Sequence, residues 1–163
     1  MRPAMSFYQR LLAISAFVFR RPFLQYSMMA ASRRILSSAC MQENKGIRWG
    51  IIIRGGDGLV GTCGYYDWNK TSHRAEIGYD LEPAQWGKGI MAEALRAVLR
   101  YGFEEMGSNR IQAIIDSENV RSIKLVERLG FKREGVLRQN SYFRGRFRDE
   151  VCFSLLKEEW IEF

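Results

Sequence analysis

The stretch Gln85–Ala94, QWGKGIMAEA, decides how the rest of the chain is read, because its glycines mark a phosphate site of one kind or another. Gly87, Gly89 and Ala92 satisfy the G-x-G-x-x-G/A spacing of a dinucleotide fingerprint, and Asp116 ends a later strand at a distance suited to a ribose hydroxyl. That reading requires a strand running directly into the first glycine. Here Glu82–Trp86 intervenes, and the segments upstream pattern as antiparallel hairpins rather than βαβ units. A Walker loop fails because Lys88 is followed by glycine, where Ser or Thr would be needed, and no glycine stands five residues before Gly87. What remains is a loop of backbone N–H groups opening a helix, whose unpaired amides and dipole stabilise a pyrophosphate without side chains. Coenzyme A carries such a pyrophosphate, and its pantetheine arm is an amide chain able to pair with a splayed strand.

Working upstream, Ile47–Ile53 is rich in β-branched and aromatic residues, Gly55–Gly58 is a turn cluster, and Leu59–Trp68 resumes as a strand. His73–Leu81 completes a three-strand meander. Downstream, Met91, Leu95, Val98, Gly102 and Met106 form one helical stripe closed by Gly107. Strand Arg110–Ile115 follows, then a helix Val120–Leu129 capped by Asn119 and stopped by Gly130. Two strands, Phe131–Tyr142 and Arg146–Leu156, flank a turn at Arg144-Gly145. The first 45 residues read as helical, with Leu11, Ile14, Phe17 and Val18 in one segment and Met28, Ile35 and Met41 in another, broken around Pro22.

At 163 residues the chain suits one domain, 1–163, that buries roughly two thirds of its unfolded surface. Three cysteines without a C-x-x-C pair and a single histidine support neither a disulfide framework nor a metal site, and suggest a reducing compartment. Charge is uneven: six arginines and no acidic residue lie in Met1–Gln42, and 19 basic residues face 18 acidic ones in the remainder. Such a segment has the composition of a presequence, and Leu11–Phe19 that of a signal core. Nine residues fall far short of the ~20 that span a bilayer, so the expectation is a cytoplasmic protein with no membrane association. The arginines suit an acidic partner surface or nucleic acid, although a solvated helix face explains them more simply.

Two longer runs now bear on the donor. They are Glu76-Ile77-Gly78-Tyr79-x-Leu81-x-Pro83-x-x-Trp86-Gly87-Lys88-Gly89-x-Met91-x-Glu93-Ala94 and Asn119-x-x-Ser122-Ile123-Lys124-x-x-Glu127-x-Leu129-Gly130-Phe131-x-x-Glu134-Gly135. Together they resemble GNAT acetyltransferases, and within them the RimJ/RimL type that acetylates N-terminal amines of ribosomal proteins. The likeness runs from Trp49 to Trp160. It implies an α+β fold: a mixed, mostly antiparallel sheet splayed to admit acetyl-CoA, with helices on both faces. It also implies that the backbone of Trp86, Gly87, Lys88, Gly89, Ile90 and Met91 cradles the pyrophosphate, and that Tyr79 to Leu81 pair with pantetheine. Asn119 would bind pantetheine and Ser122 approach the sulfur, although Asn119 also fits a plain N-cap. Trp86 and Met91 depart from the commoner superfamily residues in the manner of that branch.

Acetyl transfer needs a neutral amine and a proton for the departing thiolate. Alternation places Glu76, Gly78 and Asp80 on one face of their strand and Ile77, Tyr79 and Leu81 on the other. Glu76 is the candidate base, acting through water, though a solvated strand carboxylate is nearly as good a description. The tyrosine that some relatives use as acid corresponds here to Val126. Ser122, or water that it orients, is the candidate acid, with Tyr142 a more distant substitute. A Cys/His nucleophile using His73 with Cys63 or Cys152 is disfavoured, because direct transfer in a ternary complex needs no covalent enzyme.

The first 45 residues do not show the strand and acidic opening usual in the family, where this region lines the acceptor groove. The acceptor is therefore the open question: a protein N-terminus, or a small amine such as a polyamine or amino sugar. A module that binds acetyl-CoA without turnover is the reading from another class. The basic segment would suit proximity to the ribosome or RNA, and an exposed carboxyl-terminal edge strand is where a homodimer would form.

Overall fold

A computed structural model of the chain describes residues 35–36, 39–42, 46–53 and 58–161. Along the chain it places β1 (Ile35–Leu36), β2 (Ala39–Gln42), β3 (Gly46–Ile53), β4 (Leu59–Asn69), β5 (Arg74–Leu81), α1 (Ile90–Glu104), β6 (Arg110–Asp116), α2 (Val120–Arg128), β7 (Lys132–Phe143) and β8 (Arg146–Leu156). The strands form one sheet of order β1-β3-β4-β5-β6-β8-β7, with β2 also pairing β3. Every pairing is antiparallel except β5 with β6. A parallel pair requires a crossover, and α1 supplies it.

Ile111, Ala113 and Ile115 lie directly opposite Leu155, Phe153 and Val151, and all six are buried. They share one sheet face, which α1 covers with Met91, Leu95, Val98 and Phe103, while α2 adds Val126. Both described helices pack on this face. The expected covering of the second face falls on residues outside those described. Gly102 shows how close α1 comes: a Cβ there would stand 2.2 Å from the Tyr65 hydroxyl. That hydroxyl donates to the Val98 carbonyl at 2.8 Å and so pins the helix to β4.

The helical reading of the amino-terminal region is corrected where it can be checked. Ile35 lies on β1 and Met41 on β2, each paired antiparallel with β3. The backbone groups on that edge of β3 need partners, and ladder hydrogen bonds override a 3.6-residue periodicity of side chains. Leu11, Ile14, Phe17, Val18, Pro22 and Met28 lie outside the described residues.

Beyond the parallel pair, Glu134 of β7 braces the sheet. It accepts two bonds from the Arg110 guanidinium, at 2.6 and 2.5 Å, and one from Ser154 at 2.6 Å, so it spans β8 to reach β6. These donors, Arg110 first, hold its carboxyl below its ordinary 4.5, at about 2. A carboxylate whose folded pKa is depressed contributes stability above its unfolded pKa and loses it as pH falls through the folded one. Glu134→Gln should therefore lower the urea midpoint at neutral pH, and its difference from wild type should shrink between about pH 4.5 and about 2. A difference that does not change over that window would remove the ion pair from the account.

Candidate active site

The parallel pairing of β5 with β6 lasts for three residue pairs, Arg74↔Arg110, Ala75↔Ile111 and Glu76↔Gln112. Both strands continue, to Leu81 and to Asp116, without further pairing to each other. The sheet is thus split from Glu76 onward, and the β5 edge facing the split keeps backbone groups free to bond an extended amide chain.

At the far end of β5, Pro83–Gln85 makes a 3-10 turn and the chain enters the glycine loop. Gly87 and Gly89 adopt φ of 76° and 78°, the left-handed conformation that costs other residues about 1–2 kcal/mol, and a Cβ at either would meet nothing within 4 Å. The first backbone bond after the turn is from the Glu93 amide to the Gly89 carbonyl, at 3.1 Å. The amides of Gly87 through Ala92 have no acceptor among the described residues, so they form an open nest suited to a pyrophosphate. Ile90 and Met91 enter this site only by their backbone, since both side chains are buried in the core. Lys88 is exposed and bonds Gln85 Oε1 at 3.0 Å.

Trp86 corrects the expected cradle. Its amide closes the 3-10 turn onto the Pro83 carbonyl at 3.2 Å, because the proline fixes that tight geometry. Its ring is held separately: Nε1 donates to the Leu81 carbonyl at 2.8 Å, and the Arg121 guanidinium lies over the indole, 4.6 Å from the centroid.

Glu76 stands at the vertex of the split, half-buried. Its Oε1 accepts from the Tyr66 hydroxyl at 2.6 Å and its Oε2 from Gln112 Nε2 at 2.9 Å. The Tyr66 ring crosses Gly78, where a Cβ would lie 2.5 Å from Cε1. Burial first, then the Glu76 carboxylate, push the Tyr66 phenol well above its ordinary range, so it stays protonated and donates. Next along this face, Asp80 Oδ2 accepts from Arg48 at 2.5 Å and Thr62 at 2.6 Å, while its buried Oδ1 has no partner among the described residues. Alternation placed Glu76 and Asp80 together correctly. Tyr66 and Gln112 were not found from the sequence, because the register that sets each beside Glu76 is not a local signal.

On the other wall, Asn119 caps α2 by accepting from the Ser122 amide at 3.2 Å, leaving its amide nitrogen without an acceptor among the described residues. Ser122 is half-buried, and its carbonyl lies 3.5 Å from the Tyr79 hydroxyl, the long limit of a hydrogen bond. This contact joins β5 to α2 across the split. Burial raises the Tyr79 phenol.

The remaining candidates fall elsewhere. Val126 is fully buried, and Tyr142 is exposed against Phe147 on the terminal hairpin. Cys63 lies on the core face, and burial pushes its thiol up to about 12, far from a working nucleophile. His73 bonds the Gly107 carbonyl at 3.0 Å. Asp116, which a dinucleotide site would aim at a ribose, accepts from Arg148 at 3.1 Å and from the Glu118 amide at 2.8 Å.

The acetyltransferase (GNAT) domain family matches residues 5–132. An uncharacterized N-acetyltransferase of Bacillus licheniformis, p20, is 43% identical over 118 residues, covering 72% of this chain and 66% of its own length. The [ribosomal protein uS5]-alanine N-acetyltransferase of Escherichia coli is 36% identical over 88 residues, 54% of this chain and 45% of the relative. The chain therefore spans less than two thirds of either relative. Among solved structures, the ribosomal-protein-S5-alanine acetyltransferase of Vibrio fischeri superposes with a TM-score of 0.68 at 26% identity, covering 72% of this chain and 65% of that one. With most of its length matched by the family and a split sheet beside a glycine nest, the chain belongs to the acetyltransferase (GNAT) domain family.

Proposed function

We propose that the protein is an acetyl-CoA-dependent N-acetyltransferase whose acceptor is a protein N-terminal α-amine, with direct transfer in a ternary complex. The nest of free amides from Gly87 to Ala92 at the mouth of the split carries this reading, since it fits a pyrophosphate joined to an extended amide arm. Gly87, Gly89, Ile90 and Met91 hold the phosphates by their backbone; Tyr79 and Leu81 lie along the arm, and Asn119 offers its amide nitrogen to it. The bound thioester supplies the activated acetyl group.

Glu76 takes the amine proton through water. An α-amine, with an ordinary pKa near 8, is the acceptor such a base can serve with least help, whereas a lysine near 10.4 demands more than two further units. The Tyr66 and Gln112 bonds fix the carboxylate and leave lone pairs for that water. Ser122 protonates the departing thiolate, directly or through water. The Glu76 carboxylate would also attract a polyamine, which is the competing acceptor class. The proposed setting is the cytoplasm; among the described residues no helix is long and apolar enough to cross a membrane.

Thiol release from acetyl-CoA, measured with peptides bearing ribosomal-protein N-termini and with polyamines, tests this. N-terminal peptides should be turned over fastest. Glu76→Gln should lower kcat by about 10²–10⁴-fold, with partial recovery at higher pH, and Ser122→Ala by about tenfold or more. Binding of acetyl-CoA without thiol release from any amine would make the protein a binding module instead.

A further inference from the structure

Arg121 has no carboxylate partner among the described residues, although acidic side chains are close in sequence. Asp116 and Glu118 are taken by Arg148, and Glu118 also by Arg146. Arg121 is exposed and lies on the Trp86 indole, which the Leu81 carbonyl holds in place. A guanidinium stacked on a ring spends its face and keeps its N–H donors in the plane, in the fork that matches a phosphate. The clamp therefore presents a preorganised cation directly beside the first residue of the glycine nest, with nothing anionic in the described chain to satisfy it.

We propose that Arg121, clamped on Trp86, receives the 3′-phosphate of the donor's adenosine, so that the chain distinguishes coenzyme A from its 3′-dephospho form. This rests on the donor reading above. The pyrophosphate is met by the free amides of Gly87–Ala92, and coenzyme A carries one further phosphate, on the ribose at the same end of the molecule. Trp86 ties the two subsites together, because it precedes Gly87 in the chain and carries Arg121 on its ring.

Titration calorimetry with coenzyme A and with 3′-dephospho-coenzyme A tests the assignment. Wild-type protein should prefer coenzyme A by at least about tenfold, the scale of a charged hydrogen bond. Arg121→Ala should bring that ratio to within about twofold while leaving the affinity for the dephospho form unchanged, which also reports that the variant is folded. Arg121→Lys, keeping the charge and losing the planar fork, should fall between them. Equal binding of both nucleotides by wild type, or an unchanged ratio in Arg121→Ala, would overturn this assignment and leave the donor reading standing. Binding of neither nucleotide by wild type would overturn both.

Discussion

Gly89→Glu is expected to weaken acetyl-CoA binding by about a hundredfold or more while the domain stays folded. Gly89 is the N-cap of α1 at φ 78°, and a side chain there enters open space. A carboxylate at that point sits among the amides that would hold the pyrophosphate. At an effective dielectric near 20, two like charges about 4 Å apart repel by about 4 kcal/mol, and 2.7 kcal/mol already corresponds to about a hundredfold. Gly89→Ala separates the causes. It introduces the strain of a left-handed alanine, about 1–2 kcal/mol of stability, without the charge, and so should bind within a few fold of wild type. Calorimetric affinities and urea midpoints for both variants decide the matter. Unaltered affinity in Gly89→Glu would remove the pyrophosphate from this loop.

Trp49→Ala should destabilise the domain by about 3–5 kcal/mol, the usual cost of emptying so large a core site. Trp49 is 2% exposed on β3 and packs edge-on against Tyr65 and Tyr101, with centroids 6.4 and 5.1 Å away. No hydrogen bond to a described residue is lost with it, because its buried indole N–H has no partner among the described residues. Trp49→Phe keeps most of the ring and removes that unpaired donor, so its penalty should be much smaller, near 1.5 kcal/mol or less. Chemical unfolding followed by far-UV circular dichroism measures both. Since a domain of this size is stable by about 5–15 kcal/mol in all, Trp49→Ala should shift the transition far more than Trp49→Phe. Equal penalties would mean that the ring itself is not what fills the site.

How much of this was legible in the sequence depended on whether the signal was local. Helix α1 and the hairpin strands were read to within a residue or two, because periodicity, turn glycines and the Asn119 cap are written in adjacent residues. The glycine loop was legible for the same reason, its conformation following from two residues at positive φ. The amino-terminal strands were not, since β1 and β2 are short and owe their existence to an edge of β3 several residues away. Partners across strands were equally hidden. Tyr66 and Gln112 meet Glu76 only once three strands are in register, and Glu134 was legible as a motif residue but not as the link between Arg110 and Ser154. That the turn begun at Pro83 takes up the Trp86 amide was likewise not legible, since it follows from a hydrogen bond and not from the motif.

The short parallel seam has a mechanical meaning. Strands β1 to β5 form one leaf and β6, β8 and β7 another, and the leaves meet in the sheet through three residue pairs ending at Glu76 and Gln112. Such a seam is narrow, and the proposed base stands at the end of it. A donor lying along β5 would work as a strut that stiffens the opening, and its departure after transfer would slacken it. The Gln112 bond to Glu76 spans this seam, so a donor in the split would lie directly against the contact that closes it.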